Sequence, residues 1–459
     1  MSKESTKEIS FKEEIMRNSS NALSDIDFIQ NKQQEAAKLL SELNFPNKRQ
    51  EEWKYFDTKD ILEFGNLKPS QEQNVSIKDV NELIKKHIFP ETTDRLIVTL
   101  NGDYNEELSN FKNVGKGLKI LNFNKEKNLD KDCQALVSKY FATEGEDRFF
   151  KLTNTALMNN GFFLHAEKNH LEEKPIQILH ISNSNSFNQL RSLIYLAENS
   201  NINLIVTYVG VQGTSYLTNA VIETIVKDGA KLSLNKIQDC SKKSTHLYDL
   251  SVKLNKDSEL KFSSFNFGAG STREDINVEI DGSGAHADVN GLYVLNGDRK
   301  SHHKVIVDHK APNATSNQLF KGLLEDNSKA EFNGLIEVRK EAQKTDAQQL
   351  NNNILLSDEA HVDSRPQLNI VADDVKCAHG STTGRASDDA LFYLQSRGLD
   401  EATAKTILTY SFCQEVIEKI SLDSAQNYAS ALAYESISSS HKSRTKEENK
   451  AINILAGRQ

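Results

Sequence analysis

The apolar residues near the start of the chain recur at helical spacing. Between Asp25 and Phe45 they mark one face of a helix, at Phe28, Ile29, Ala36, Leu39, Leu40 and Leu43. Steps of three and four residues are typical of an amphipathic helix, and Pro46 ends the pattern. The first twenty residues are polar, and we expect them to be frayed. Residues 1–90 are therefore predicted to form an N-terminal helical region.

The pattern changes to short alternating stretches in the middle of the chain, residues 91–384. A turn residue followed by two apolar residues one apart recurs, and the first apolar residues of these units are Ala230, Leu260, Ala285, Ala330 and Ala360. They are separated by steps of 30, 25, 45 and 30 residues. Such steps are typical of strands that coil and stack turn on turn, although a sandwich or a barrel also contains many short strands. A coil of this kind leaves its faces and ends for partners.

The last part of the chain, residues 385–459, is predicted to be a C-terminal helical region followed by a polar tail. Asp388 suits the start of a helix, and Gly398 suits its C-terminal cap. A second helix is expected from Asp400, with an apolar face formed by Ala404, Leu408, Phe412, Val416 and Ile420. Beyond Ser438 the chain is rich in Lys, Glu and Ser and is predicted to be disordered.

Composition and charge exclude several classes of protein. The chain has 459 residues, 37% of them hydrophobic, and a net charge of −9, so it is globular and is not expected to bind nucleic acid. It shows no secretory leader pattern and no apolar run long enough to cross a bilayer. The four cysteines lie far apart and form no CxxC pair, at Cys133, Cys240, Cys377 and Cys413. We therefore expect no disulfide framework, no membrane association and a cytoplasmic location.

The densest group of chemistry-bearing residues lies between Asp373 and Gly384 and includes Cys377 and His379. On an extended strand these two side chains point to the same side, with α-carbons roughly 7 Å apart. Thiolate and imidazole are good ligands for soft and borderline metals, but two ligands do not complete a tetrahedral site. A metal or sulfur species bound here would need ligands from elsewhere, such as another chain. The alternative is a buried, inert cysteine beside a hydrogen-bonded histidine, which the pattern alone favours because free cysteine is usually buried.

Three histidines form a second cluster, at His302, His303 and His309. On a regular strand His303 and His309 share a face, and His302 lies on the other. The helical spacing of zinc hydrolases, with histidines four apart and a nearby Glu, is absent. We favour hydrogen-bonded histidines of a sheet protein, with a zinc enzyme as the alternative.

Other short motifs indicate structural roles. The glycine-containing stretches 268–270 and 282–284 match neither a dinucleotide fingerprint nor a P-loop, so the chain is not expected to hydrolyse nucleotide. Trp53, the only tryptophan, is predicted to anchor the N-terminal helices to the core. A β-helix carbohydrate-active enzyme is a further alternative, which the single tryptophan and the lack of an acid cluster disfavour.

Several stretches together resemble the SufB/SufD family of iron–sulfur cluster assembly scaffold proteins. They lie between about residue 45 and residue 420, and the set as a whole carries the resemblance. The matching stretches are residues 51–55 (EEWKY), 309–312 (HKAP), 318–322 (QLFKG), 342–349 (AQKTDAQQ), 365–368 (RPQL), 376–384 (KCAHGSTTG) and 391–398 (LFYLQSRG). The resemblance implies a mainly β fold, with a right-handed parallel β-helix core flanked by N- and C-terminal α-helical regions.

Two departures place the chain with the SufD-like branch of this family. SufB-like members have a cysteine in the segment that matches residues 350–356, where this chain has three asparagines and no cysteine. They also have Glu after the histidine that matches His379, where this chain has Gly380. The resemblance therefore implies a scaffold subunit without a complete active site of its own, and not an enzyme. A SufB-like scaffold in its own right is the alternative.

The resemblance also implies partners and a site. A SufD-like chain pairs with a SufB-like paralogue, and each binds one copy of a SufC-like ABC-type ATPase, whose ATP-driven dimerisation strains the pair. His379, with Cys377 beside it, is implicated where the paralogues meet, around a transient iron–sulfur cluster or iron. The isolated chain is expected to hold no cluster stably. The C-terminal helices are implied to dock the ATPase, and we assign this contact to Leu391, Phe392, Arg397, Leu408 and Phe412.

Overall fold

The structure is a computed structural model. It describes residues 3–20, 24, 26–62, 64, 77–112, 114–123, 131–142, 148–158, 161–183, 185–385 and 387–438. The polar tail predicted beyond Ser438 lies outside these residues. The helices within them are α1 Lys3–Ser19, α2 Asp27–Glu42, α3 Lys59–Leu62, α4 Ile77–His87, α5 Lys131–Tyr140, α6 Phe149–Leu157, α7 Asp388–Ser396, α8 Glu401–Ile417 and α9 Asp423–Ser438.

The strands occupy most of the region between α4 and α7. They are β1 Arg95–Leu100, β2 Asp103–Tyr104, β3 Asn110–Phe111, β4 Leu118–Asn122, β5 Gly161–Ala166, β6 Ile176–Ser182, β7 Phe187–Leu196, β8 Asn201–Gly210, β9 Leu217–Val226, β10 Lys231–Asp239, β11 Thr245–Leu254, β12 Glu259–Asn266, β13 Ser271–Ile280, β14 His286–Leu295, β15 Lys300–His309, β16 Thr315–Leu324, β17 Lys329–Val338, β18 Asp346–Leu355, β19 His361–Ile370 and β20 Lys376–Gly384.

These strands build a parallel β-solenoid of about eight turns, flanked by helices at both ends of the chain. From β5 onward, successive strands alternate between two sheets. Sheet A has the order β2-β1-β6-β8-β10-β12-β14-β16-β18-β20, with β3 also paired to β1, and sheet B has the order β19-β17-β15-β13-β11-β9-β7-β5-β4. The antiparallel pairs of the described strands involve β2, β3 and β4, near the N-terminal end. The mainly β, coiled fold predicted from the sequence is confirmed.

The length of one turn explains the irregular spacing seen in the sequence. From β5 onward, paired parallel strands repeat after between 26 residues, from Thr245 to Ser271, and 32 residues, from Lys329 to His361. The first three predicted units belong to sheet A, and the last two belong to sheet B. The step of 45 residues is therefore about one and a half turns, because it crosses from one sheet to the other.

The interior of the solenoid is a continuous apolar core. Alternate residues of each strand point inward, so residues that pair in register stack into columns along the solenoid. One such column in sheet A contains Leu234, Phe262 and Val289, each of them 0% exposed. A fully buried side chain of this size contributes roughly 1.5–3 kcal/mol to the stability of the fold. These columns therefore hold successive turns together in addition to the backbone hydrogen bonds.

The N-terminal helices pack on the outer face of sheet B. Helices α1, α2 and α6 share an apolar cluster with Trp53 and Leu247. Trp53 is buried, and the guanidinium of Arg273 lies 3.9 Å from the centroid of its ring, so the predicted aromatic anchor is confirmed. The predicted fraying is wrong for Lys3–Ser19, because these residues form α1, which buries Phe11 and Ile15 in this cluster.

Helices α8 and α9 pack on the outer face of sheet A. Their apolar residues join Leu292 of β14 and Leu323 of β16 in one cluster. Val416 and Ile420, which belong to the predicted apolar face of the second C-terminal helix, are fully buried there. That part of the face is therefore core, and the two helices cover the side of the solenoid instead of its last turn.

The predicted ends of the C-terminal helices agree with the structure. Helix α7 begins at Asp388, and Gly398 beyond its end has a φ of +92°, as expected of a C-terminal glycine cap. Asp400 Oδ1 accepts a hydrogen bond from the backbone N–H of Thr403 at 2.9 Å and caps α8. Helix α9 was not predicted as a separate element. None of the described helices is both long enough and apolar enough to cross a membrane.

A buried charged cluster interrupts the apolar interior. Lys236 of sheet A and Glu274 of sheet B form an ion pair with both side chains 0% exposed. His303 Nδ1–H donates to the second carboxylate oxygen of Glu274 at 3.0 Å, and the Ser264 hydroxyl donates to the first at 2.7 Å. Burial would raise the pKa of Glu274, but Lys236 and His303 outweigh it and hold the pKa far below its ordinary value. The carboxylate is therefore charged and fully paired.

We expect Glu274→Gln to destabilise the chain by about 3–5 kcal/mol, because it leaves Lys236 buried without a counter-charge. The folded-state pKa of Glu274 is depressed, so its contribution is present above the ordinary carboxyl pKa of about 4.3 and is lost as the pH falls below it. The variant should therefore lose stability at neutral pH and show a weaker acid dependence than the native chain. Denaturant unfolding at a series of pH values measures both effects.

Two further variants separate this explanation from a general loss of packing. The double variant Lys236→Met/Glu274→Gln should recover more than half of the lost stability, because no buried charge is left unpaired. Glu401→Gln removes an exposed pair with Lys405 and should change stability by less than about 0.5 kcal/mol. A double variant as unstable as Glu274→Gln would contradict the prediction.

Candidate functional site

The solenoid ends in an uncovered turn formed by β19 and β20. Among the described strands β19 pairs with β17 alone and β20 with β18 alone, so each strand has one free edge. Most residues of the preceding strands are buried, whereas no residue of β19 or β20 is buried. Free strand edges are templates for a strand of another chain. We call this pair of strands the open turn.

Cys377 and His379 lie on β20 and face the interior of the open turn. In the register with β18, Cys377 is opposite Ala347 and His379 is opposite Gln349, and both β18 residues are buried. The same alternation directs Ser381 inward. The prediction that Cys377 and His379 share one side of a strand is confirmed. They occupy interior positions in a turn that nothing described in the structure covers.

The two side chains differ in exposure. Cys377 is half-buried against a buried apolar cluster that includes Ala347 and Ala372, and this burial raises the pKa of its thiol. His379 is exposed. The full burial that the alternative interpretation gave to this cysteine is therefore not found, and whether the thiol is inert stays untested. Because its pKa is raised, the thiol is protonated near neutral pH, and a metal or a base that binds it has to displace the proton.

The interior changes from apolar to polar at this end of the solenoid. One interior column of sheet A starts with Leu234, Phe262 and Val289. It continues as Gln318, Gln349 and His379. Gln349 Nε2 donates to Gln318 Oε1 at 2.9 Å. Gln349 Oε1 and Gln318 Nε2 are buried without a partner in the part of the chain that the structure describes. The sequence-based predictions do not include this change, although polar residues one turn apart are its signal.

A group of hydrogen bonds links the two strands of the open turn. The Ser364 hydroxyl of β19 donates to Asn351 Oδ1 at 2.7 Å and lies 2.7 Å from the Ser381 hydroxyl of β20. Deeper in the solenoid, Asn353 Nδ2 donates to Asn351 Oδ1 at 2.8 Å, and the Tyr293 hydroxyl donates to Asn353 Oδ1 at 2.5 Å. The open turn is therefore tied to the buried interior by side chains as well as by its backbone.

Helix α7 presents the exposed part of the predicted ATPase contact. Phe392 and Tyr393 are 72% and 58% exposed, and no residue of α7 is buried. Leu391 is half-buried. Arg397 is exposed and lies over the ring of Tyr393, 5.2 Å from its centroid. Exposed large apolar side chains on a helix are typical of an interaction surface.

The two predicted contact residues of α8 have a different environment. Leu408 and Phe412 are both half-buried, and Phe412 packs against the cluster that joins α8 to sheet A. Lys321 of β16 lies over the ring of Phe412, 4.4 Å from its centroid, and donates to its backbone oxygen at 3.1 Å. Phe412 therefore contributes to the attachment of α8, and its role in docking the ATPase stays a prediction.

The second histidine cluster is divided between two faces of sheet B. His303 and His309 face the interior, and His302 faces outward, where its Nδ1 lies 3.2 Å from Glu331 Oε2. His309 Nε2 lies 2.9 Å from the Ser316 hydroxyl. The described residues contain no group of three or more His, Cys, Asp or Glu side chains arranged to hold a metal ion. Because the sheet separates His302 from the other two, these histidines do not form one zinc site.

The fold and the open turn define a β-solenoid protein with an edge available to another chain. The family model for the SUF system FeS cluster assembly, SufBD core domain, matches residues 179–412. The family model for the SufBD protein N-terminal region matches residues 11–178. The chain therefore belongs to the SufBD family of iron–sulfur cluster assembly scaffold proteins.

Named members of this family show how far the similarity extends. The chain is 28% identical over 393 residues to an iron–sulfur cluster assembly SufBD family protein of Synechocystis sp., with 82% of this chain and 84% of the relative covered. It is 31% identical over 252 residues to the iron–sulfur cluster assembly protein SufD of Escherichia coli, with 54% and 60% covered. It is 25% identical over 294 residues to SufD of Bacillus subtilis, with 63% and 67% covered. The match to the Escherichia coli protein thus spans less than two thirds of that protein.

We expect Cys377 to be the one cysteine that reacts rapidly in the native chain. Cys133, Cys240 and Cys413 are at most 2% exposed, and burial raises the pKa of Cys240 and Cys413 to about 12. Iodoacetamide should label Cys377 at least about 100-fold faster than the other three, which react only after local opening. Because the pKa of Cys377 is itself raised, its labelling rate should still be rising at a pH of about 9.

Peptide mass spectrometry of the quenched native chain measures this labelling. Cys377→Ser should abolish the rapid phase, and the denatured chain should label at all four positions. Equal labelling of Cys377 and Cys413 in the native chain would contradict the prediction.

Proposed function

We propose that this chain is the SufD-like scaffold subunit of a complex with a SufB-like paralogue and a SufC-like ATPase. It contributes to iron–sulfur cluster assembly in the cytoplasm and is not itself an enzyme. The observation that carries the proposal is the open turn, where Cys377 and His379 occupy interior positions beside a free strand edge. A cluster or iron bound there is cargo and needs further ligands, because iron–sulfur clusters are held by about four protein ligands. The paralogue supplies those ligands.

Addition of a strand from the paralogue suits the open turn. A partner strand that pairs with β19 or β20 satisfies the free backbone groups and continues the stack of turns. It also covers Ile370 and Val371, which are 39% and 55% exposed at the end of β19. Covering the turn removes water from around Cys377 and His379, so that a transient cluster forms between the two chains and the isolated chain holds none stably.

The residues beneath the open turn favour the SufD-like role over the SufB-like one. The segment in which SufB-like proteins have a cysteine lies on β18, directly under β20, and contains Asn351, Asn352 and Asn353 here. Asn351 and Asn353 are buried and hydrogen-bonded within the solenoid. Neutral amides of this kind do not replace a thiolate as a ligand for iron. The cysteine ligands of the cluster therefore come from the other chain.

The ATPase binds α7 in this proposal. Leu391, Phe392 and Arg397 form the contact, and Leu408 of α8 lies at its border. Helix α7 begins four residues after the end of β20, so a pull on α7 is transmitted along a short segment to the strand that carries His379. ATP-driven dimerisation of two ATPase subunits would thus strain the contact between the paralogues and open it.

Co-expression with a SufB-like and a SufC-like protein tests the proposal. We expect a stable complex to co-purify. His379→Ala should leave the complex intact and reduce cluster maturation in cells by about 10–100-fold, the effect of losing a group that binds or orients a metal. Cys377→Ser should have a similar or smaller effect. Activity of a cluster-dependent reporter enzyme measures maturation.

Thr382→Ala is the matched control, because Thr382 lies on the same strand and faces outward. It should leave maturation within about twofold of wild type, as expected for an exposed hydroxyl. Failure of the wild-type chain to bind a SufB-like partner would contradict the proposal. Loss of folding in His379→Ala would show instead that this histidine has a structural role.

Phe392→Ser should weaken binding of the SufC-like ATPase by about 10–100-fold while binding of the SufB-like partner is retained, because exposed aromatic side chains supply much of the affinity of such contacts. Leu171→Ser, at a position 66% exposed on a distant turn, is the control for loss of an exposed apolar side chain. Titration calorimetry with purified ATPase measures the affinity. Wild-type affinity in folded Phe392→Ser would exclude α7 as the docking site.

A further inference from the structure

Two stretches of the chain that the proposed function leaves unused meet in the structure. Residues 51–55 lie on the outer face of sheet B, where they reach Arg365 of β19. Glu51 Oε1 accepts a hydrogen bond from Arg365 Nη1 at 2.9 Å. The guanidinium of Arg365 lies 4.6 Å from the centroid of the Tyr55 ring. We call Glu51, Tyr55 and Arg365 the clasp.

The clasp is the far end of a segment that crosses sheet B, residues 51–60, which we call the strap. Behind it, the Glu52 backbone oxygen accepts from Arg273 of β13 at 2.7 Å, and the Glu52 carboxylate pairs with Lys304 of β15 at 3.0 Å. Asp60 pairs with Lys300 of β15 at 2.9 Å. The strap is thus attached to strands in the middle of the solenoid and extends from there to the open turn. Through the clasp, the N-terminal region holds β19.

Arg365 is also held by its own sheet. Its second terminal nitrogen pairs with Glu331 of β17, whose side chain is 9% exposed. The other oxygen of Glu331 lies 3.2 Å from His302 Nδ1. Arg365 therefore bridges the strap and β17, and its planar guanidinium stacks on the Tyr55 ring. A lysine in its place would provide one charge but neither the two-sided hydrogen bonding nor the stacking.

Ser364, the residue before Arg365, connects the clasp to the candidate site. Ser364 points inward where Arg365 points outward, because successive residues of a strand alternate. The Ser364 hydroxyl lies 2.7 Å from that of Ser381 on β20. Ser381 follows His379 by two residues and faces the same way. A shift of β19 at Arg365 therefore acts on β20 through this pair of hydroxyls.

We propose that Arg365 is a positioning residue for the candidate site. The clasp holds β19 and, through Ser364 and Ser381, keeps β20 in the position in which Cys377 and His379 meet a partner. An edge strand with a neighbour on one side has few other contacts to restrain it. The importance of this positioning rests on the proposed function, but the coupling itself is a property of the isolated chain.

Hydrogen exchange on the full-length chain, without partners, tests the coupling. Arg365→Gln and Tyr55→Leu should each make the backbone amides of residues 376–384 exchange roughly tenfold faster, because the opening of an edge strand is governed by its local contacts. Exchange in β10, deep in the solenoid, should not change. Arg365→Lys should give an intermediate rate. Arg339→Gln is the matched control, because among the described residues Arg339 forms its ion pairs with Asp308 and Glu337 on the same side of the solenoid and not with the strap.

Two outcomes would overturn the proposal. One is native exchange of residues 376–384 in both Arg365→Gln and Tyr55→Leu. The other is a uniform increase across the solenoid, which would mean that Arg365 stabilises the fold as a whole. The double variant should exchange no faster than Arg365→Gln, since residues that act through one contact are not additive. Because no partner is present, failure of complex formation with an intact clasp would count against the proposed function alone.

Discussion

A parallel strand is complete only when it has a neighbour on each side, and a stack of such strands has to end. In this chain the first turns are closed by short antiparallel strands and by helices, whereas β19 and β20 have no described neighbour beyond them. The placement of Cys377 and His379 follows from this constraint. They occupy interior positions by register, yet they remain accessible because no further turn covers them. In the proposed function, this pair of side chains is half of a site that a second chain completes.

The interior column of sheet A changes from apolar to polar residues toward the end of the stack, which suits this end to contact with a second chain. Leu234 and Phe262 stabilise the middle of the solenoid by burial, whereas Gln318 and Gln349 occupy the same column nearer the end. Buried amides cost free energy unless they are hydrogen-bonded, and here one hydrogen bond joins the two side chains while Gln318 Nε2 and Gln349 Oε1 have no partner among the described residues. A polar end tolerates water in the isolated chain, while an apolar one would favour indiscriminate association. The site therefore lies where the core gives way to a polar surface.

The recurring turn residues predicted many short strands, and the resemblance to the SufB/SufD family favoured a solenoid over a sandwich or a barrel. The spacing of Cys377 and His379 was sufficient to predict that they share one face of a strand. The burial of Phe11 and Ile15 could not be predicted from the sequence, because two apolar residues in a polar segment do not identify their packing partner. The apolar stripe containing Phe412 showed that one face of α8 is covered, but a stripe does not distinguish a partner protein from the chain's own sheet. Whether a face packs on a partner or on the chain's own sheet depends on tertiary packing, and local periodicity carries no information about it.

The strap has a consequence for how the protein is made. Glu51 and Arg365 are separated by 314 positions in the sequence. A ribosome that adds about 5–20 residues per second needs on the order of 15–60 s to synthesise the intervening chain. During that time the N-terminal segment has no final binding partner for Glu51 and Tyr55, while the early turns are already long enough to stack. Glu51, Tyr55 and the last coil therefore reach their final contacts together, late in biosynthesis, and a nascent chain that stops short of β19 leaves the clasp end of the strap unpaired and exposed to chaperones and proteases.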